Sequence, residues 1–207
     1  MIAIVNYGLG NLYSIRRSLD YIGCDSIITR DPAEILAADR VILPGVGAFR
    51  DAAKLLSETG LDKVVKEYAA TGKPLLGICL GMQLLFEKSY EYGEYQGLGL
   101  LPGQVCSLEE DLQVLQKDAA LKVPHIGWNA LRIRKEIPLL KYSKEGDCVY
   151  YVHSFYAKNC EEVVAADSEY GLWVPGAVAR GNVMGTQFHP EKSGPAGLVI
   201  LRAFAEL

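Results

Sequence analysis

As far as Tyr90, short unbroken apolar runs alternate with stretches whose apolar residues recur every three or four positions. Ile2–Val5, Ser26–Ile28, Val41–Leu43 and the run opening at Leu75 read as strands covered on both faces. Between them, Leu12, Ile15, Leu19 and Ile22 mark one face of a helix, and helical patterns cover Asp51 to Ser57 and Leu61 to Ala70. Asp31-Pro32-Ala33-Glu34 is a helix start: Asp31 can cap, Pro32 suits the first turn and Glu34 completes a capping-box-like sequence. Strands alternating with helices at this spacing predict an α/β fold with a mainly parallel central sheet and helices on both faces.

The rhythm changes after Tyr90. Gly97 to Pro102 is glycine-rich, and Trp128–Ile133, Val149–Val152 and Ala177–Ala179 read as separate short strands. They are expected to form antiparallel additions in the C-terminal half. Val183 to Phe188 is a further strand, and a last helix from about Pro195 carries Leu198, Leu201 and Ala205 on one face.

One junction stands out. The run Leu75-Leu76-Gly77-Ile78 meets a helical pattern from Leu80 to Lys88, which leaves Cys79 on the turn between strand and helix. Gly77 and Gly81 supply the small neighbours that a sharp nucleophile elbow needs. A helix N-terminus behind the sulfur favours a thiolate. The competing reading is a small buried cysteine in a strand, and the choice turns on whether a base lies within reach. Ligands of parallel sheets bind at the carboxyl ends of the strands. The elbow and the glycine loops at Gly8-Leu9-Gly10 and Gly45-Val46-Gly47 all fall at such ends.

Composition narrows the field. A chain of 207 residues suits one domain, 1–207, with one sizeable core. Its net charge of −4 leaves no basic footprint, so nucleic acid is not an expected partner. No apolar stretch approaches the roughly 20 residues needed to cross a bilayer, and the N-terminus has no signal-type core. A cytoplasmic protein with no membrane association is expected. Five cysteines, an odd number without a C-x-x-C pair, indicate neither a zinc site nor a disulfide framework.

Three histidines are candidates for a base: His125, His153 and His189. His189 ends a predicted strand, and Pro190 biases it toward extended backbone. Residues two apart in an extended segment face the same way, so Glu191 can orient the imidazole. His125 reads as a polar loop residue and His153 as a satisfied core histidine. Trp128 reads either as a core anchor or as an interface residue. Gly8-Leu9-Gly10 resembles half of a dinucleotide fingerprint, but Tyr13 occupies the third glycine position and no clear acidic partner follows, which rejects a nicotinamide site.

Gly77-x-Cys79-x-Gly81-x-Gln83 together with His189-x-Glu191 resembles the class I, triad-type glutamine amidotransferases, over essentially the whole chain. The resemblance implies a flavodoxin-like sheet, no cofactor and no metal. It also implies a triad in which Cys79 attacks the side-chain amide of glutamine, His189 activates the thiol, and Glu191 orients His189. Backbone N–H groups of Leu80 and of Gly45, Val46 and Gly47 would bind the oxyanion; Gln83, Ser154 and Phe155 would contact the substrate. Within that family, Asn6–Asn11, Pro44–Phe49, Pro124-His125-x-Gly127-Trp128-Asn129 and His189–Ser193 are similar to the branch that serves histidine biosynthesis. One departure is Asn6, where that branch commonly has aspartate; it lies outside the triad. The resemblance further implies a separate cyclase subunit, a (β/α)8 barrel forming a heterodimer with this chain, with Asn11, Trp128 and Lys192 facing it. Ammonia released into water is protonated and lost, and a chain of this size has no room for an acceptor site. A glutaminase for another synthase, or a regulatory relative without catalysis, are the alternatives. The latter would lack Cys79, His189 or Glu191.

Overall fold

The structure, a computed structural model, describes residues 1–115 and 121–207. Its first half runs β1 (Ile2–Val5), α1 (Leu12–Tyr21), β2 (Ser26–Thr29), α2 (Pro32–Ala37), β3 (Arg40–Leu43), α3 (Phe49–Glu58), α4 (Leu61–Ala70), β4 (Leu75–Ile78) and α5 (Leu80–Leu84). The second half runs β5 (Lys88–Ser89), β6 (Tyr95–Gln96), β7 (Gln104–Ser107), α6 (Leu108–Val114), β8 (His125–Ala130), β9 (Arg132–Ile133) and β10 (Cys148–His153). It closes with β11 (Phe155–Lys158), β12 (Val164–Glu169), β13 (Trp173–Arg180), β14 (Val183–Thr186) and α7 (Gly194–Ala205).

The eight-stranded main sheet has the order β2-β1-β3-β4-β14-β13-β12-β9. Its first five strands are parallel and the last three join antiparallel. Alternation along each parallel strand sorts side chains to two cores. Ala3, Val5, Val41, Leu43 and Leu75 pack with Ile35, Leu56, Leu61, Val65 and Tyr68 from α2, α3 and α4. Ile2, Ile4, Ile42, Leu76 and Ile78 pack on the other face with Ile15 and Leu19 of α1 and with Ile200, Leu201 and Phe204 of α7. The parallel sheet with helices on both faces is therefore as expected, and Asp31 caps α2 by accepting from Ala33 N–H.

Two smaller sheets lie beside it: an antiparallel β8–β10 ribbon and a four-stranded sheet of order β11-β7-β5-β6. Among the described residues, no helix is long and apolar enough to cross a membrane.

Three expectations need correction. The elbow helix stops at Leu84 instead of reaching Lys88. The carbonyls of Leu84, Leu85, Phe86 and Glu87 accept from Leu98, Leu100, Leu101, Gly99 and Gly97, so the glycine-rich loop takes the acceptors that further helical turns need. His125 is a buried residue of β8, not a loop residue. Trp128, 57% exposed, is no core anchor.

Candidate active site

The carboxyl ends of β1, β3, β4 and β14 converge, and the site stands on them. Parallel pairing of β4 with β14 brings Ile78 opposite Thr186, and Cys79 N–H donates to the Thr186 carbonyl at 2.7 Å. Cys79 itself has φ 55° and ψ −113°, a conformation that side chains rarely adopt. The turn is tight because its neighbours have no side chains. A Cβ at Gly81 would stand 1.9 Å from the Leu43 carbonyl oxygen, and one at Gly45 would stand 2.6 Å from Gly81 N. One at Gly77 would stand 2.7 Å from the Gly81 carbonyl.

From β14 the chain continues to His189, whose N–H donates to the Tyr150 carbonyl and whose own carbonyl accepts from Ser193 Oγ. Residues Pro190–Lys192 then form a 3-10 turn. This turn, and not an extended segment, carries Glu191 back to His189, with Nδ1 at 2.8 Å from Glu191 Oε1. The Glu191 side chain is fully covered. Asn11 stands at the N-cap position of α1 yet makes no side-chain cap; its Nδ2 donates to Glu191 Oε1 at 3.1 Å.

Burial opposes charge on the His189 ring, but hydrogen bonds with Cys79 and Glu191 outweigh it and push the imidazolium up to about 10 from the ordinary 6.5. Below pH 6.5 both the folded and unfolded chains hold that proton, and the full stabilisation is present. Between about 6.5 and 10 only the folded chain holds it, and the stabilisation is lost as pH rises. The extra unfolding free energy of the protein over His189→Gln, measured in urea, is expected to be largest below about pH 6.5 and to shrink toward about pH 10. A difference that stays flat across that window would remove the ion pair.

A cavity of about 330 Å³ opens over the sulfur. Cys79, Leu80, Gln83, His189, Val46, Gly47, Ser154 and Phe155 all line it, so the structure gathers most of the anticipated site residues in one place. Gly45 lies behind the lining, against Gly81 and the Tyr7 hydroxyl. Gln83 already donates through Nε2 to the Phe155 carbonyl at 2.9 Å and to Gln187 Oε1 at 3.0 Å, which leaves its oxygen as the atom it can offer a ligand. Glu91 and His153 also line the cavity. Glu91 was not anticipated: it accepts from Phe49 N–H at the start of α3, and burial raises its carboxyl.

His153 is the satisfied core histidine that its setting implied. Its Nδ1 donates to the Phe155 carbonyl, so its Nε2 accepts from His125 Nδ1 at 3.0 Å, and His125 Nε2 accepts from Asn129 Nδ2 at 3.3 Å. Burial holds both rings neutral, lowering His125 to about 4 and His153, with help from its neighbour His125, to about 3.

Asn11, Trp128 and Lys192 surround the back of the same turn. Asn11 touches Glu191, Lys192 is the next residue and exposed, and the Trp128 ring would lie 3.9 Å from a Cβ on Gly194. A thiol beside an imidazole that is itself held by a carboxylate is an arrangement for nucleophilic attack on an acyl carbon.

By fold and by match, the chain belongs to the class I glutamine amidotransferases: the family description "Glutamine amidotransferase class-I" fits residues 3–206. It is 53% identical to "Imidazole glycerol phosphate synthase subunit HisH" of Bacillus cereus over 99% of this chain and 93% of that one. The protein of the same name from Listeria monocytogenes is 52% identical over 100% of this chain and 96% of that one. Among solved structures, "Structure of PurLQS from Thermotoga maritima" matches with a TM-score of 0.73 at 19% identity, covering 99% and 97% of the two chains. A second, "Crystal structure of glutamine amidotransferase", matches with a TM-score of 0.74 at 19% identity, covering 100% and 99%.

Proposed function

We propose that Cys79, His189 and Glu191 are the triad with which this chain, as the glutaminase subunit of an imidazole glycerol phosphate synthase, hydrolyses glutamine to glutamate and ammonia. The observation that carries the residue assignment is that Cys79 and His189 both line the cavity while the covered Glu191 holds His189 Nδ1 from behind. The relatives at about half identity over the whole chain support the pathway.

The Cys79 sulfur attacks the amide carbon of glutamine, and the oxyanion is held by N–H groups of Leu80 and the Val46-Gly47 segment, with Gly45 setting the loop's approach. The first-turn N–H groups of a helix have no intrahelical acceptor, which suits Leu80 to this work. His189 then gives its proton to the amide nitrogen, the C–N bond breaks and ammonia leaves. Water, deprotonated by the now neutral His189, attacks the thioester carbon; glutamate departs and the thiol proton returns through the same ring.

Ser154 and Phe155 with the Gln83 oxygen flank the substrate. Its α-ammonium falls to Glu91, the single carboxylate among the described lining residues outside the triad. Glu91→Gln is expected to raise KM for glutamine roughly tenfold to a hundredfold, with kcat changed far less, because it removes a hydrogen bond to a charged group. An unchanged KM in steady-state assays would take Glu91 out of recognition.

Ammonia passes to a separate cyclase subunit, a (β/α)8 barrel that docks over Asn11, Trp128 and Lys192, and the reaction runs in the cytoplasm, where five free thiols persist. The decisive experiment measures glutamate release by the purified chain, alone and with the cyclase subunit and its ribotide acceptor, using Cys79→Ala as the blank. Strong activation by that pair is the expected result. Activity indifferent to the partner would leave a glutaminase and discard the pathway; none in any condition would discard the triad.

A further inference from the structure

A buried amide sits against the nucleophile and has no part in the triad. Gln187 lies between the end of β14 and His189, wholly buried, with its backbone N–H donating to the Gly176 carbonyl at 2.9 Å. Its side-chain Nε2 stands 3.8 Å from Cys79 Sγ.

The orientation of this amide is not free. The Phe155 carbonyl accepts hydrogen bonds only, so the Gln83 atom facing it is Nε2. The same Nε2 spends its second N–H on Gln187, which must present Oε1 to it. Nε2 of Gln187 is then the atom turned to the sulfur, and it arrives as a donor. The Phe155 carbonyl is in turn fixed by His153 Nδ1, and His153 by His125 and Asn129. Every link in this chain from β8 to the sulfur therefore has one permitted direction.

We propose that Gln187 is a further catalytic residue, whose amide N–H donates to the Cys79 sulfur and aims it into the cavity while Gln83 holds the amide in register. The inference rests on Cys79 being the nucleophile. Negative charge that develops on a covered sulfur needs donors, and among the described residues the His189 ring and Gln187 face it. When the sulfur is a neutral thioester the Gln187 bond is weak, and it strengthens as the sulfur takes up charge on leaving the acyl carbon, so it favours the step that frees the sulfur. Gln83 accordingly does two jobs, offering its oxygen to the substrate and clamping the residue that steadies the sulfur.

The test compares the full-length protein with Gln187→Met, which fills similar space without a donor, and Gln187→Glu. The second variant keeps the shape and the acceptor for Gln83 but turns an anionic oxygen toward the sulfur. Iodoacetamide modification of Cys79, followed by peptide mass spectrometry across pH, reads the thiol's ionisation, and glutamate release by the assembled complex reads turnover. The midpoint for alkylation is expected to move to higher pH in both variants. Loss of kcat should be roughly tenfold to a hundredfold with KM nearly constant. If Gln187→Met does not fold, Gln187→Glu decides alone. A folded variant with the parental midpoint and kcat overturns the proposal. A parent chain that releases no glutamate in the complex overturns the glutaminase reading instead, so the two failures are separable.

Discussion

Cys79→Ala is expected to lower glutamate release by about four to six orders of magnitude, the scale seen when a nucleophile that works as part of a unit is removed. His189→Ala should cost nearly as much, because without the ring neither the thiolate nor the departing ammonia has its proton partner. The double variant should be little worse than either single one, since the two side chains serve one step. Glu191→Gln should cost less, about ten- to a thousandfold, because Glu191 acts through the ring, by one 2.8 Å hydrogen bond, and does not line the cavity. Synthesis by the assembled complex supplied with ammonium salts should survive all of these changes, because the acceptor chemistry belongs to the partner. Kinetics with glutamine and with ammonium chloride, run side by side, check the ordering. Losses in both assays would mean a collapsed fold, while a mild Cys79→Ala defect with glutamine would mean another nucleophile.

The largest stability effect belongs to a residue without a side chain. Gly81→Ala places a Cβ 1.9 Å from the Leu43 carbonyl oxygen and 2.8 Å from its carbonyl carbon, in a position where both neighbours are backbone. Neither can swing aside as a flexible side chain would, so β3 or α5 must move and the elbow with it. A loss above about 4 kcal/mol is expected, which lowers the melting temperature by roughly 8–16 °C in a chain of this size. Gly23→Ala is the control: it has a positive φ of 77° but open space around it, and should cost only about 1 kcal/mol. Thermal and urea unfolding of the two variants decide the matter, and equal losses would mean that backbone crowding at the elbow is not the cause.

The parallel half of the sheet was legible because its strands are apolar on both faces and separated by helices of clear period. The elbow was legible because Gly77 and Gly81 bracket Cys79 at such a junction. The antiparallel half hid for a physical reason. In β12, Val164–Glu169, the residues Ala165, Ala166, Asp167 and Ser168 have weak strand preference. What holds them in place is not read from a local window: Asp167 is buried under Arg132 and Arg134, 35 and 33 positions away in the chain. Glu191 was assigned its place for a reason the fold does not use, since a 3-10 turn, not strand alternation, returns it to His189. Gln187 and Glu91 were missed because their signals are contacts across the fold: Gln83 and Gln187 are 104 residues apart, Phe49 and Glu91 are 42. A possible clue was Asn11, a good capping residue that leaves its helix uncapped to reach a carboxylate 180 positions away.

The backbone at Cys79 has a bearing on how this chain can change over generations. A side chain held at φ 55° and ψ −113° costs about 1–3 kcal/mol, whereas glycine adopts such angles freely at an entropic cost of about 0.5–1 kcal/mol. Exchange of the nucleophile for glycine thus relieves that strain while giving up the sulfur's hydrogen bonds with His189 and Gln187. A copy of this chain released from hydrolysing glutamine is free to make that exchange and become an inert scaffold, and continued demand for ammonia is what holds a strained cysteine at the elbow.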